Sequence, residues 1–299
     1  MDKFCYFHRV YKKELKTEYS SINFEGYTFD VGKMEDYLSE YVLSRENLRF
    51  IFCENSDEIS RFKLQNMLNR FLPSDDSVKN IDDISRKIIE DSSYYSFLAE
   101  AILPLVYRNI YGFNLISSAI DINMTLTDTA TGADACMYDS EKKAFVLGEA
   151  KFYRNFNQGM NAIITNFTGK DGFINKLNSL YRHSQNNEAT NTLIIRELGK
   201  ENTAEFSFTD FLKLSLHFAG FVLHEVGTLT EEKLKDDALY DSFSLSTKAI
   251  LTNIQRIQPL YANRNINISL LHFPIVSKKE LIKKVIDNAI KSKGQLIHE

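Results

Sequence analysis

Two carboxylates and an amine stand at a spacing that suits phosphodiester hydrolysis. Glu149 and Lys151 lie two residues apart in Ala144-Phe145-Val146-Leu147-Gly148-Glu149-Ala150-Lys151-Phe152-Tyr153, and Asp134 lies 15 residues before Glu149 in Gly132-Ala133-Asp134-Ala135-Cys136-Met137. In an extended chain side chains alternate, so Phe145, Leu147, Glu149 and Lys151 share one face while Val146, Gly148, Ala150 and Phe152 share the other. Both faces are apolar around the charges, the pattern of a strand covered on both sides. Glu149 and Lys151 are then withdrawn from water, where a charge must be met by an opposite charge, a metal ion or a charged substrate. A structural ion pair is the plain alternative. A second carboxylate argues past it, because an antiparallel hairpin through Asp139-Ser140-Glu141-Lys142 returns Asp134 beside Glu149. Like charges at such range repel unless a cation separates them, and hard oxygen donors suit Mg2+, with Mn2+ as a substitute. Lys151 would orient an attacking water or offset charge growing on a phosphoryl group.

Glu100 is the one charge between Asp91 and Arg108. Its helical neighbours at spacings of three and four are Ser96, Phe97, Leu103 and Pro104, an apolar face for a glutamate. Two readings stand: a carboxylate delivered to the acidic cluster, or a glutamate at a helix edge. Gln158, seven residues after Lys151, and the cations Lys170, Lys176, Arg182 and His183 are accessory candidates for substrate contact, against the reading of a solvated face.

Residues of this kind need a frame. Ile84 to Arg108 reads as a helix, ended by Asn109-Ile110-Tyr111-Gly112. Strands are expected at Ala119–Thr127, Ala133–Tyr138 and Ala144–Tyr153, then a helical stretch over Asn157–Tyr181, a strand at Thr192–Ile195, a helix at Thr209–Leu214 and a strand at Leu216–Val226. A strand at Ile268–Ile275 and a helix at Ser277–Ser292 close the chain. The order of helix, three-strand meander, helix and strand predicts an α/β fold, a mixed central sheet flanked by helices. Upstream, strands at Phe4–Tyr11 and Leu48–Cys53 with helices at Met34–Leu43 and Ile59–Phe71 predict a small α+β part. The turn-rich Leu72-Pro73-Ser74-Asp75-Asp76-Ser77 sets the expected division, with residues 1–77 assigned by elimination to partner contact and 78–299 to the catalytic domain with its helical extension.

At this point the residues resemble the PD-(D/E)xK nuclease superfamily, whose restriction-endonuclease-like core has that order of elements. Asp134 matches the acidic residue of its second strand, Glu149-Ala150-Lys151 its E-x-K on the third, and Glu100 the helical glutamate of some branches. More narrowly, Gly132-Ala133-Asp134 followed by Leu147-Gly148-Glu149-Ala150-Lys151-Phe152 resembles the HamA family, nuclease subunits of the Hachiman antiphage defence system, over roughly residues 80–230. The resemblance implies a bacterial Mg2+-dependent deoxyribonuclease, an endonuclease of little sequence specificity working with a superfamily 2 helicase, HamB. Asp134, Glu149 and Glu100 are then metal ligands, and Lys151 supports the attacking hydroxide. The alternatives are a non-catalytic partner-binding module on the same fold and a stand-alone restriction-type endonuclease.

Composition is compatible with all three. The 299 residues are 43% hydrophobic and 25% charged, proportions of a globular chain rather than a disordered or fibrous one. A net charge of −4 argues against a tail-driven nucleic-acid binder, so DNA contact must come from local clustering. No apolar run is long enough to span a bilayer and the first residues lack a secretory core, so the expectation is a cytoplasmic protein without a membrane partner. Cys5, Cys53 and Cys136 are too few and scattered for a disulfide framework and read as reduced thiols. There is no HExxH spacing for zinc and no GxxxxGK[ST] loop, so ATP hydrolysis belongs to a partner. His224 reads as a structural histidine. The last helix carries Lys278, Lys279, Lys283, Lys284, Lys291 and Lys293 and suits either nucleic-acid contact or a solvated amphipathic role.

Overall fold

A computed structural model describes residues 8–17, 20–28, 34–54, 59–72, 92–118, 133–168, 172–201, 205–225, 252 and 266–298. In chain order the elements are β1 (His8–Thr17), β2 (Ser20–Thr28), α1 (Met34–Leu43), α2 (Arg45–Ile51), α3 (Arg61–Asn69), α4 (Ser92–Tyr111), β3 (Asn114–Ser118), β4 (Ala135–Asp139) and β5 (Ala144–Tyr153). They continue as α5 (Phe156–Thr168), α6 (Gly172–Asn186), α7 (Glu188–Glu197), the single turn α8 (Phe208–Phe211), β6 (Ser215–Glu225), β7 (Ile266–Ile275) and α9 (Lys278–His298). The strands form one seven-stranded sheet in the order β1-β2-β7-β6-β5-β4-β3. β3, β4 and β5 are antiparallel neighbours; β5, β6, β7 and β2 run parallel, and β1 closes the far edge antiparallel to β2. The fold is α/β, a mixed sheet flanked by helices. Among the described residues no helix is long and apolar enough to cross a membrane.

The alternation expected of residues 144–153 decides how the layers stack. Val146, Ala150 and Phe152 join Leu98, Ile102 and Val106 of α4 and Leu281, Val285 and Ile286 of α9 in one apolar core. Phe145 and Leu147 join Met160, Ile163 and Phe167 of α5 and Leu177 and Leu180 of α6 in a second core on the opposite face. β5 is thus covered on both sides, and β6 and β7, buried along almost their whole length, are covered with it. Gly148 lets α4 come close: a Cβ there would lie 2.7 Å from Leu103 Cδ2 and 3.1 Å from the Ala135 carbonyl oxygen. Gly148→Val is expected to cost about 1–3 kcal/mol in urea unfolding through overpacking; a variant as stable as the wild type would show that the layer yields freely.

Two contacts fix the frame. Tyr107 on α4 places its hydroxyl within 2.8 Å and 2.7 Å of the Gly220 and Ser269 carbonyls, tying the helix to β6 and β7. Glu35 of α1, buried, accepts the Val276 and Ser277 N–H groups at 2.6 and 2.9 Å, satisfying donors at the start of α9. Helices α1, α2 and α3 share their apolar core with α4 and α9.

Several expectations shift. The helix runs on through Pro104 to Tyr111, where Gly112, at φ +70°, donates to the Arg108 carbonyl and ends it. The first described strand of the meander follows at once, Asn114–Ser118; the expected strand at Ala119–Thr127 lies outside the described residues, as do Phe4–Phe7 of the first strand, residues 84–91 and the turn from Pro73 to Ser77. Two expected strands are helices. Leu48–Ile51 falls in α2, whose buried residues Asn47, Leu48 and Ile51 recur at helical spacing after the Ser44 cap, and Phe52 and Cys53 form the turn that ends it. Thr192–Ile195 falls in α7, capped by Asn187 and buried at Thr190, Ile194 and Ile195. The polar stretch after β5 is two helices rather than one.

Candidate active site

The site begins where a hydrogen-bond ladder runs out. β5 pairs with β6 along its whole length, from Ala144↔Ser215 to Tyr153↔His224, but among the described residues its pairing with β4 stops at Ala135↔Gly148. A strand edge left there needs other partners for its polar backbone. Asp134 supplies them: its N–H donates to the Gly148 carbonyl at 2.9 Å, and its carboxylate accepts the Ala150 N–H at 2.7 Å. The Asp134 carboxyl is therefore held against the peptide that joins Glu149 to Ala150.

Glu149 is 2% exposed and points to the α5–α6 side. Its carboxylate accepts from the Lys151 ammonium at 2.7 Å, from the Lys176 ammonium at 2.5 Å, and from the Asn166 side-chain amide. Glu100, on α4 in the other layer, is partly buried and close enough for its charge to be felt by Asp134 and Lys151. The four residues singled out from the sequence, Glu100, Asp134, Glu149 and Lys151, are thus one electrostatic unit. Lys176 and Asn166 complete it.

The unit splits its carboxyls into two kinds. Burial pushes the Asp134 carboxyl well above the ordinary range, and the charges of Glu149 and Glu100 push it further, outweighing Lys151 and Lys176. Glu100 is raised by burial and by Glu149, against the pull of Lys151. Glu149 goes the other way: burial would raise it, but Lys176 and Lys151 hold it below the ordinary range. Lys151, depressed by burial, is raised on balance by Glu149, Asp134 and Glu100, so its ammonium stays charged at neutral pH.

The donor chemistry fits a hard divalent cation. Asp134 and Glu100 carry charge that burial and neighbours oppose, the condition a bound cation relieves, and all three carboxyls offer oxygen. Among the described residues no three His, Cys, Asp or Glu side chains are preassembled as a metal cage. Two amines and an amide hold Glu149 instead.

The accessory candidates divide. Lys176, read from sequence as a possible phosphate contact, is 5% exposed and is a partner of Glu149. Its signal was its place on the apolar stripe of α6 with Phe173, Leu177 and Leu180. Asn166 carried no such signal. Gln158 and Arg182 are exposed on α5 and α6, His183 is half-buried, and Lys170 lies outside the described residues. His224 is a structural histidine: buried, its Nε2 3.1 Å from Nδ1 of His272, it is pushed down to about 4 by burial and stays neutral. Cys136 is a free thiol driven up to about 11 by burial, hence inert. On α9 the apolar residues Leu281, Val285 and Ile286 are buried while Lys279 and Lys291 face water.

Comparison with known proteins adds one finding to this geometry. A model of a family described as HamA matches residues 1–289. No curated protein and no solved structure matches the chain.

Proposed function

The chain belongs to the HamA family, a component of Hachiman defence systems, and from that premise we propose that it is a Mg2+-dependent DNA endonuclease, the effector that a superfamily 2 helicase subunit delivers to DNA. The observation that supports this reading is the convergence of Glu100, Asp134, Glu149 and Lys151 at the point where β5 outruns β4. Asp134 and Glu149 would hold the ion, with Glu100 beside them. A divalent ion held there would lower the pKa of bound water and offset charge on the phosphoryl group.

The chain's own residues have separable tasks. Lys151 keeps its proton, so it works as a fixed positive charge beside the phosphate rather than as a base. Glu100, raised from the ordinary carboxylate range, is the group better suited to hold the proton that an attacking water gives up. The Asp134 carboxylate is fixed in place by the Ala150 N–H, so the position of one ligand is set by backbone rather than by a rotamer.

A second reading has its own support, since the carboxylate of Glu149 already has two ammonium partners. On it the cluster is a structural ion network in a partner-binding module. Nicking of supercoiled plasmid by the full chain, alone and with its helicase, separates the two. The expected result is cleavage in Mg2+ that EDTA abolishes, reduced on the order of 10²–10³-fold by Lys151→Met. Undiminished cleavage in that variant would place the chemistry away from this cluster, and no cleavage under any condition with the helicase present would favour the module.

A further inference from the structure

We propose that the outer edge of β3 is a docking site for a short extended segment of a partner protein, one that carries neighbouring acidic side chains. The two edges of the sheet, β1 and β3, are not alike. An edge strand offers N–H and C=O groups to any passing chain, and lysines along it are a common guard. β1 carries Lys12, Lys13 and Lys16. β3, which runs Asn114-Leu115-Ile116-Ser117-Ser118, carries no charge and no proline, and among the described residues no strand pairs with its outer side. Both strands have one irregularity in register, so the lysines are the difference. Asn114 is exposed and Leu115 and Ile116 are partly exposed, whereas Ser117 and Ser118 are buried, so the open stretch is short.

That stretch lines a cavity of about 600 Å³ that straddles the sheet edge. On one side stand α2 and the turn after it, whose apolar residues belong to the first core; on the other stands α7, which belongs to the second. Arg49 comes from α2 and Arg196 from α7, so the two walls each bring a guanidinium. The carboxylate in the lining, Glu54, pairs with Lys63. Arg196 pairs with Glu197 at 3.0 Å, but its side chain is 63% exposed, and an exposed pair of this kind gives up its partner at little cost. A strand edge is matched by the main chain of another extended segment, which supplies alternating donors and acceptors. Successive side chains of an added strand point to opposite faces, so two neighbouring acidic residues would meet Arg49 on one wall and Arg196 on the other. None of Glu100, Asp134, Glu149 and Lys151 lines the cavity, so the inference is independent of the metal-dependent reading.

Fluorescence anisotropy of the full chain with short labelled peptides, blocked at both ends, tests this. The parent peptide is Thr-Val-Thr-Glu-Glu-Val-Thr; a second has Lys-Lys in place of Glu-Glu, and two more are the parent N-methylated at alternate residues in either phase. The acidic peptide is expected to bind, the lysine peptide to bind about tenfold more weakly or less, and one of the two methylated peptides to lose about tenfold, since one edge of its main chain no longer donates. Arg49→Glu combined with Arg196→Glu is expected to reverse the preference between the two charges, with a matching circular dichroism spectrum and melting curve to show that it is folded. Hydrogen exchange should show new protection over residues 114–116 when the acidic peptide is bound. The proposal is overturned if no peptide binds up to about 1 mM, if both charges bind alike, if both methylated peptides bind as well as the parent, or if protection appears elsewhere than β3. It is overturned too if a short oligothymidylate displaces the peptide, which would make the cleft a phosphate site. Light scattering that shows a dimer broken by Ile116→Lys would make the occupant a second copy of this chain instead.

Discussion

Asp134→Asn is expected to cut Mg2+-dependent cleavage on the order of 10³-fold and at the same time to make the fold more stable, by about 0.5–2 kcal/mol at neutral pH. Both effects come from one charge. Asparagine keeps an oxygen for the Ala150 N–H, so the strand edge loses no hydrogen bond. It removes a carboxylate that burial, Glu149 and Glu100 all disfavour. The pH dependence carries the sign. Asp134 takes up a proton more readily folded than unfolded, so in the window between the ordinary carboxyl value near ~4 and its raised folded value the native state binds more protons, and stability falls as pH rises. Glu100 adds a slope of the same sign. Glu149, held low, acts in a separate window: its contribution is lost only as pH falls through its depressed value.

The stability gap between Asp134→Asn and wild type should therefore widen in urea unfolding as pH rises from the ordinary carboxyl value of ~4 toward the raised folded value of Asp134. Mg2+ should close it. An ion that binds only the folded state stabilises by about 2.7 kcal/mol at a hundred times its dissociation constant, and the variant would lack one of the ligands proposed for it. A variant no more stable than wild type at pH 8, or equally stabilised by Mg2+, would mean that Asp134 is an ordinary strand-end cap.

What could be read from the sequence follows from how local each determinant is. β5 and its charges were legible because a two-residue period with both faces apolar has one reading, a strand between two layers, and the hairpin after Asp139 fixes where Asp134 returns. Glu100 was legible as an odd charge on an apolar helix. Leu48–Cys53 and Thr192–Ile195 were misread because four to six apolar or β-branched residues fit either period, and their caps at Ser44 and Asn187 decide the matter. The seven-stranded sheet joins β2 to β7, whose partners lie more than 240 positions apart, a pairing no local pattern encodes. Lys176 is the instructive case. From sequence it reads as a possible phosphate contact or part of a solvated face; its spacing with Phe173, Leu177 and Leu180 offers an inward-facing position, but which carboxylate it meets depends on the packing of α6 over β5.

That packing yields the second large effect. Glu149→Ala is expected to destabilise the fold by about 3–5 kcal/mol, because it removes the buried carboxylate that accepts from both the Lys151 and the Lys176 ammonium. Loss of cleavage in this variant would then report partly on unfolding. Lys176→Met in the same chain removes one of the two cations and fills the space with a side chain of similar length. The double variant should regain most of the lost stability, since the surviving Lys151 is the more exposed and keeps Asp134 and Glu100 nearby. It should regain no cleavage, because the carboxylate that would hold the ion is absent. A double-mutant cycle on urea midpoints gives the coupling between positions 149 and 176, expected to be on the order of 1–3 kcal/mol. If the double variant is as unstable as Glu149→Ala, the cost lies in the cavity left at 149 rather than in charge. If it cleaves DNA, Glu149 does not belong to the catalytic centre, whatever it contributes to the fold.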